Sequence, residues 1–474
     1  MNRFDVIVKN GTCVDGSWSG RGDLGIQNGR ISAIADSLAA AEADEVLDAT
    51  GLVVLPGAVD AHYHFGIYRP FAEDVRSESR SSLVGGVTSV LSYFRTGTHY
   101  LNKTGSYHEI LPEIRTASRG NSFVDIGFHL APMSREHVAE IPWLVRQGIS
   151  GFKFYMFYKG LNLAADSRDA QAYTKAEDYD LGHLFEIMEA VAAENRIGQR
   201  RISVSVHCEQ PELLRLFIER VRASGRTQDL AAYSAARPPL TERVAIAEAV
   251  TLADEAGAPV NLLHLSSKEA INAVALARRS YPDRDIRAET TLHHLTLSHD
   301  GVSGIGGKVN PPIRTSSDNE ALWLALQRGD IDWVASDHAC CTLDLKGSDL
   351  WPALPGFGGS SLLYPVLISE GYHRRGMGLD AVVRAVSANP ARAYGLYPQK
   401  GRIALGSDAD LAIVDLDRSA RVSADALLSD QDHTPFEGVQ LRGWPVVTVL
   451  RGRVVFRDGQ VVGPPSGDLL AQGE

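Results

Sequence analysis

The stretch Leu-Pro-Gly-Ala-Val-Asp-Ala-His-Tyr-His-Phe, from Leu55 to Phe65, constrains this chain more than any other. It opens in an apolar run and ends in a His-x-His pair, His62 and His64. Side chains of an extended strand alternate faces, so both imidazoles project the same way, about 7 Å apart, with Asp60 one step below them. Two imidazoles on one strand face can converge on a single metal ion if further ligands arrive from elsewhere. The alternative is a pair of surface or hydrogen-bonded histidines, and the later strands decide between the two.

The 474 residues suffice for a large barrel and a smaller unit, with ample material for a core. A hydrophobic share of 44% and a charged share of 22% describe an ordinary globular chain. The formal net charge of −11 argues against nucleic acid or an anionic membrane as partner, since both call for a basic face. No apolar run is long enough to span a membrane, and the first residues lack the apolar core of a signal peptide. Four cysteines, at positions 13, 208, 340 and 341, do not make a disulfide framework, so the expected setting is a reducing cytoplasm.

Residues 1–55 carry short strands over 4–9, 12–14, 23–27, 30–34 and 45–48, with hairpin signals at Asn10-Gly11 and Asn28-Gly29. They read as half of a small sheet unit. Its other half is expected near the C-terminus, where 411–415 and 446–450 are apolar strands, so that 1–55 and 399–474 form one discontinuous β-sandwich. Between them, 56–398 alternates apolar strands with helical patterns. The strands are expected over 53–64, 88–94, 124–131, 151–155, 202–207, 259–264, 285–290 and 332–337. The helices between them include 181–194, 212–223, 241–256, 268–281 and 319–328. Eight such strands predict an α/β fold with a (β/α)8 barrel of the TIM type.

In barrels of this kind chemistry sits at the carboxyl ends of the strands. The first strand ends in His62 and His64. The fourth places Lys153 in an otherwise apolar and aromatic run, Gly-Phe-Lys-Phe-Tyr. The fifth, Ile-Ser-Val-Ser-Val-His, points Ser203, Ser205 and His207 to one face. The sixth ends in His264 and the eighth in Asp337. Taken singly, a strand-end Asp is often a helix cap and a buried Lys often pairs with a carboxylate. Six such residues at five strand ends point instead to metal binding.

His-x-His followed by Lys, His, His and Asp on successive strands resembles the amidohydrolase superfamily, specifically its binuclear cyclic amidohydrolases. That group includes dihydropyrimidinases, hydantoinases, allantoinases and dihydroorotases. The likeness covers nearly the whole chain and includes Gly85-Gly86-Val87-Thr88, Asn310-Pro311-Pro312-Ile313-Arg314, Ser336-Asp337-His338-Ala339 and Gly406-Ser407-Asp408-Ala409-Asp410-Leu411. It implies two divalent ions, zinc by preference, with His62, His64 and Asp337 on one and His207 and His264 on the other. Lys153 would bridge them as a carbamate, formed when a neutral amine captures carbon dioxide. Asp337 would be the general base. The resemblance also implies a homo-oligomer, dimer or tetramer, acting on a small cyclic molecule.

Tyr158 stands five residues past Lys153, where hydantoinases and dihydropyrimidinases carry a tyrosine that steadies the tetrahedral intermediate. A packing role among the neighbouring aromatics is its alternative. Asn310 and Gly356 are expected substrate contacts, although Asn310 and His293-His294 look more like the allantoinase and dihydroorotase pattern. Dihydroorotases use an arginine two residues after His-x-His and a histidine four after the metal-binding aspartate. Here those positions are Gly66 and Cys341. The expected substrate is therefore an uncharged cyclic amide, imide or ureide, opened by hydrolysis as in hydantoinases or dihydropyrimidinases. An allantoinase- or dihydroorotase-like reaction, with Arg69 as carboxylate anchor, is the alternative, and a non-catalytic scaffold of the same fold the more remote one. The remaining histidines, His99 and His129 among them, are expected to be surface or locally hydrogen-bonded, whereas His338, directly after Asp337, is expected to point away from the ligand face, where it could support the ligands from behind.

Overall fold

The computed structural model describes residues 3–97, 100–158, 179–198, 200–226, 228–302 and 304–470. The central apolar runs become eight parallel strands, each buried on both faces: β1 (Ala58–Tyr63), β2 (Val87–Phe94), β3 (Asp125–Leu130), β4 (Gly151–Tyr155), β5 (Ser203–His207), β6 (Val260–Leu262), β7 (Ile286–Thr291) and β8 (Trp333–Ala335). Each pairs with the next in chain order. The ring closes where the Asp60 carboxylate accepts the Ser336 N–H at 3.0 Å and its hydroxyl at 2.5 Å. The His64 N–H donates to the His338 carbonyl at 2.9 Å along the same seam.

The run expected as one strand over 53–64 is two. Val53–Pro56 pairs antiparallel with Leu411–Arg421, whereas β1 pairs parallel with β2. The break falls at Gly57, where a Cβ would lie 2.1 Å from the Thr88 hydroxyl oxygen, so no larger residue fits. One apolar run thus passes from an outer sheet into the barrel.

Strands from both chain ends share that outer sheet: Thr12–Val14, Ser19–Arg21 and Val53–Pro56 join Leu411–Arg421, Gln440–Leu450, Arg453–Arg457 and Gln460–Val461. A second sheet of Phe4–Lys9, Asp23–Gln27, Arg30–Ala35 and Ala43–Asp48 lies against it. Val6, Leu24 and Ile26 of one sheet and Val54, Leu411 and Ile413 of the other form their common core. The Asn28-Gly29 hairpin forms as its sequence predicts, with φ of +52° and +75°. Helices lie between successive barrel strands. Ser316–Arg328 starts on a reciprocal Thr315/Asp318 cap and stops at Gly329, whose φ is +79°. Among the described residues no helix is long and apolar enough to cross a membrane.

A buried ion cluster fastens the barrel to the C-terminal strands. The Lys400 ammonium lies 2.5 Å from Asp125 at the start of β3, 2.9 Å from Asp408 and 2.6 Å from Asp410. Arg451 also binds Asp125. Removing the cation leaves carboxylates buried together, and breaking a buried pair in this way costs about 3–5 kcal/mol. Lys400→Met is therefore expected to lower the unfolding free energy by that order, with a lower midpoint in urea unfolding. An unchanged midpoint would show that the cluster does not fasten the two parts.

Candidate active site and metal centre

Five barrel strands deliver the six candidate ligands, five at or just past the carboxyl ends and Lys153 from the middle of β4, and all six side chains are buried. Nε2 of His62 and Nε2 of His64 lie 3.0 and 3.1 Å from one oxygen, Oδ1 of Asp337. Nζ of Lys153 is 3.5 Å from His62 Nε2. The His207 and His264 rings meet edge to face with centroids 4.3 Å apart. His62, His264 and Asp337 each offer a ligand atom, and those atoms lie within 4.8 Å of one another.

What aims these rings is a second layer of carboxylates. Glu289 Oε1 lies 2.6 Å from His62 Nδ1 and accepts the His264 backbone N–H at 3.3 Å. Its other oxygen accepts the Trp333 indole N–H at 2.7 Å. With Nδ1–H donating to Glu289, the lone pair of His62 Nε2 faces the centre. His64 does the same, its Nδ1 being 3.2 Å from the Tyr100 hydroxyl. His207 is turned the other way: Nε2 lies 2.7 Å from Glu209, which Arg237 grips through Nε at 3.0 Å and Nη2 at 2.7 Å. That leaves Nδ1 of His207 as its available donor. His264 and Asp337 carry φ of +37° and +51°, a region that non-glycine residues rarely adopt and that is concentrated at functional sites.

Burial sets the protonation states. It pushes His64 and His207 down to about 4 against the pull of Asp337 and Glu209, so both are neutral at pH 7. It pushes His264 well below its ordinary value too. Burial also lowers Lys153 to about 8, which gives the amine a sizeable neutral fraction. For Asp337 burial works upward, but the imidazoles of His62 and His64 outweigh it and hold the carboxyl well below its usual range. Neutral imidazoles, one carboxylate and a readily deprotonated amine form a nitrogen and oxygen donor set that fits divalent metal ions.

Above the donors opens a cleft of about 790 Å³ of non-protein space, part of it continuous with solvent. Tyr158, Asn310 and Gly356 all border it, together with all six candidate ligands. Tyr158 belongs to a short turn, Met156–Tyr158, directly after β4, and its ring stacks on Tyr155 at 4.7 Å. Asn310 Oδ1 accepts the Tyr233 hydroxyl at 2.6 Å. Gly356 has φ of +104°, and a Cβ there would press to 2.9 Å on that of Ala339. Arg69 is turned elsewhere, donating to Asp430 at 2.7 Å and Ser77 at 2.9 Å.

Sequence reasoning missed four charged residues: Glu209, Glu289, Arg95 and Arg237. Glu209 stands two residues after His207, and Glu289 interrupts an apolar strand. Arg95 immediately follows β2, at a strand end where the barrel rule looks for function. Arg237, on the loop before a helix, carries no such signal. The expectation of bland histidines fails at His129, which is wholly buried with its ring against Tyr93 and Tyr394. His338 sets its Nε2 2.8 Å from the buried Glu78. His99 lies outside the described residues.

Residues 53–455 match the amidohydrolase family. The chain is 32% identical to an allantoinase of Rubrobacter xylanophilus over 99% of its own length and 98% of that protein. It is 30% identical to an L-hydantoinase of Paenarthrobacter aurescens, with 97% and 96% covered. The solved structure of an L-hydantoinase (dihydropyrimidinase) from Arthrobacter aurescens superposes with a TM-score of 0.87 at 29% identity, covering 98% and 99%. That of a dihydropyrimidinase from Brevibacillus agri gives 0.85 at 27%, covering 98% of each chain. The strand-end donors and these matches together make the chain a member of the amidohydrolase family.

Proposed function

We propose that this chain is a metal-dependent hydrolase that opens the ring of a cyclic amide, imide or ureide, as hydantoinases and dihydropyrimidinases do. The observation that carries this reading is the convergence of His62, His64, Lys153, His207, His264 and Asp337 beneath one cleft, with Glu289 and Glu209 orienting the rings of His62 and His207 and Glu289 also holding the His264 backbone. His62, His64 and Asp337 would hold one divalent ion and His207 and His264 a second, zinc being the preferred metal. Bound there, the ions supply Lewis-acid polarisation of a carbonyl and acidify a water molecule. Residues 56–398 would form the catalytic unit, with 1–55 and 399–474 as the smaller one.

The residues' own parts follow from their chemistry. The neutral Lys153 amine would add to carbon dioxide, forming a C–N bond and losing a proton, and the resulting carbamate would offer anionic oxygen donors for holding the ions. The Asp337 carboxylate takes the proton of the attacking water and passes it to the ring nitrogen as the C–N bond breaks. The Tyr158 hydroxyl donates a hydrogen bond to the carbonyl oxygen as charge grows on it. Asn310 and Gly356 bound the wall that the ring lies against. Dihydroorotate is disfavoured because Gly66 and Cys341 stand where its carboxylate partners would be, and Arg69 is bound to Asp430. The allantoinase relative supports a ureide among the candidate rings.

Protein purified without chelator is expected to hold two transition-metal ions per chain by elemental analysis. Lys153→Ala should lose metal and most activity, with partial recovery on adding short carboxylic acids and metal. Active enzyme free of metal would defeat the reading. Asp337→Asn should reduce turnover by about 10²–10⁴-fold in steady-state assays on hydantoin and dihydrouracil. Near-normal turnover would remove Asp337 as the base. Tyr158→Phe should lower kcat more than it raises KM, since its hydroxyl acts on charge that develops only in the transition state.

A further inference from the structure

Two guanidinium groups line the cleft, those of Arg95 and Arg237. Arg237 is held on Glu209 through two nitrogens and belongs to the layer that orients His207. Arg95 is placed differently. It follows the last residue of β2, is only 3% exposed, and its Cζ lies over the rings of Tyr100 at 5.5 Å and Tyr158 at 5.4 Å. Aromatic rings support a guanidinium through its face, while its five N–H donors radiate in the plane, a geometry suited to a carboxylate fork. The cleft wall beside the candidate catalytic tyrosine thus carries a permanent positive charge in a largely apolar, aromatic setting, where charge acts strongly.

We infer that Arg95 is a specificity-determining residue that recognises a carboxylate carried on a side chain of the ring substrate. This rests on the ring-opening reading above and adds the substrate class. The ring itself stays uncharged. A substituent on the carbon next to the attacked carbonyl leaves the reacting amide on the side of Tyr158, and Arg95 is the cation adjacent to that tyrosine. The carboxylate partner sought from sequence at Arg69 is therefore found one strand further on.

The test compares kcat/KM for 5-(2-carboxyethyl)hydantoin with that for its uncharged isostere, 5-(2-carbamoylethyl)hydantoin, using the full-length, metal-loaded enzyme. The native enzyme should favour the carboxylate by about 10- to 100-fold, the range of one charge-assisted contact. Arg95→Gln should bring the ratio close to one, chiefly by raising KM for the carboxylate, whereas Arg95→Lys should keep part of it. If Arg95 only supports Tyr158, its loss lowers both substrates in proportion and the ratio stands, which overturns the inference. A native enzyme that opens both hydantoins equally well also overturns it and leaves the ring-opening reading intact. A native enzyme that opens neither, nor hydantoin itself, takes both readings down.

Discussion

The short contact between Glu289 and His62 is the interaction on which the rest of the site depends. One buried carboxylate holds the His62 ring, the backbone of His264 and the indole of Trp333. These come from β1, the end of β6 and β8, so Glu289 sets three parts of the ring against one another. Without it, the imidazole of His62 has no fixed face toward the centre, and the tight turn that brings His264 inward loses a donor's partner. A carboxylate this deep is costly to bury, and it is sustained because every contact it makes is a hydrogen bond.

The opposite wall follows the same logic with the ring reversed. His207 presents Nδ1 because Glu209 takes Nε2, and Glu209 is held anionic, down at about 2, by Arg237 although burial works the other way. Two carboxylates thus choose the donor nitrogen on each side of the centre. The intervening Lys153 lies over the rings of Tyr93 and Tyr155, 4.4 and 4.9 Å from their centroids, in a setting that disfavours its ammonium form. The arrangement prepares one amine for chemistry while keeping the imidazoles of His64, His207 and His264 neutral.

Much of this was legible in the sequence, for definite reasons. The period of two along a strand puts His62 with His64 and His207 with the serines before it. The barrel rule then selects strand ends, which is where Lys153, His264 and Asp337 fall in chain order. What the sequence hid are relations across strands. Nothing in an apolar run from Val53 onward shows that Thr88 crowds Gly57 and divides it in two. Glu289 reads as an odd charge in a strand until Trp333 and His62 are seen around it. Arg69 and Arg95 are equally plausible as cations on paper, and only the fold turns the first to Asp430 and the second to the cleft.

The seam of the barrel has a consequence for how the site comes into being. His62 and His64 are borne by the first strand and Asp337 lies just after the last, and they meet across the junction closed by Asp60 and Ser336. During synthesis the histidines therefore emerge long before their carboxylate partner exists. A chain that has made six strands holds Lys153, His207 and His264 without the far wall of the cage. Metal binding at a centre that draws on His62, His64 and Asp337 together would thereby be tied to completion of the ring, and occupancy would report that the two ends of the barrel have met.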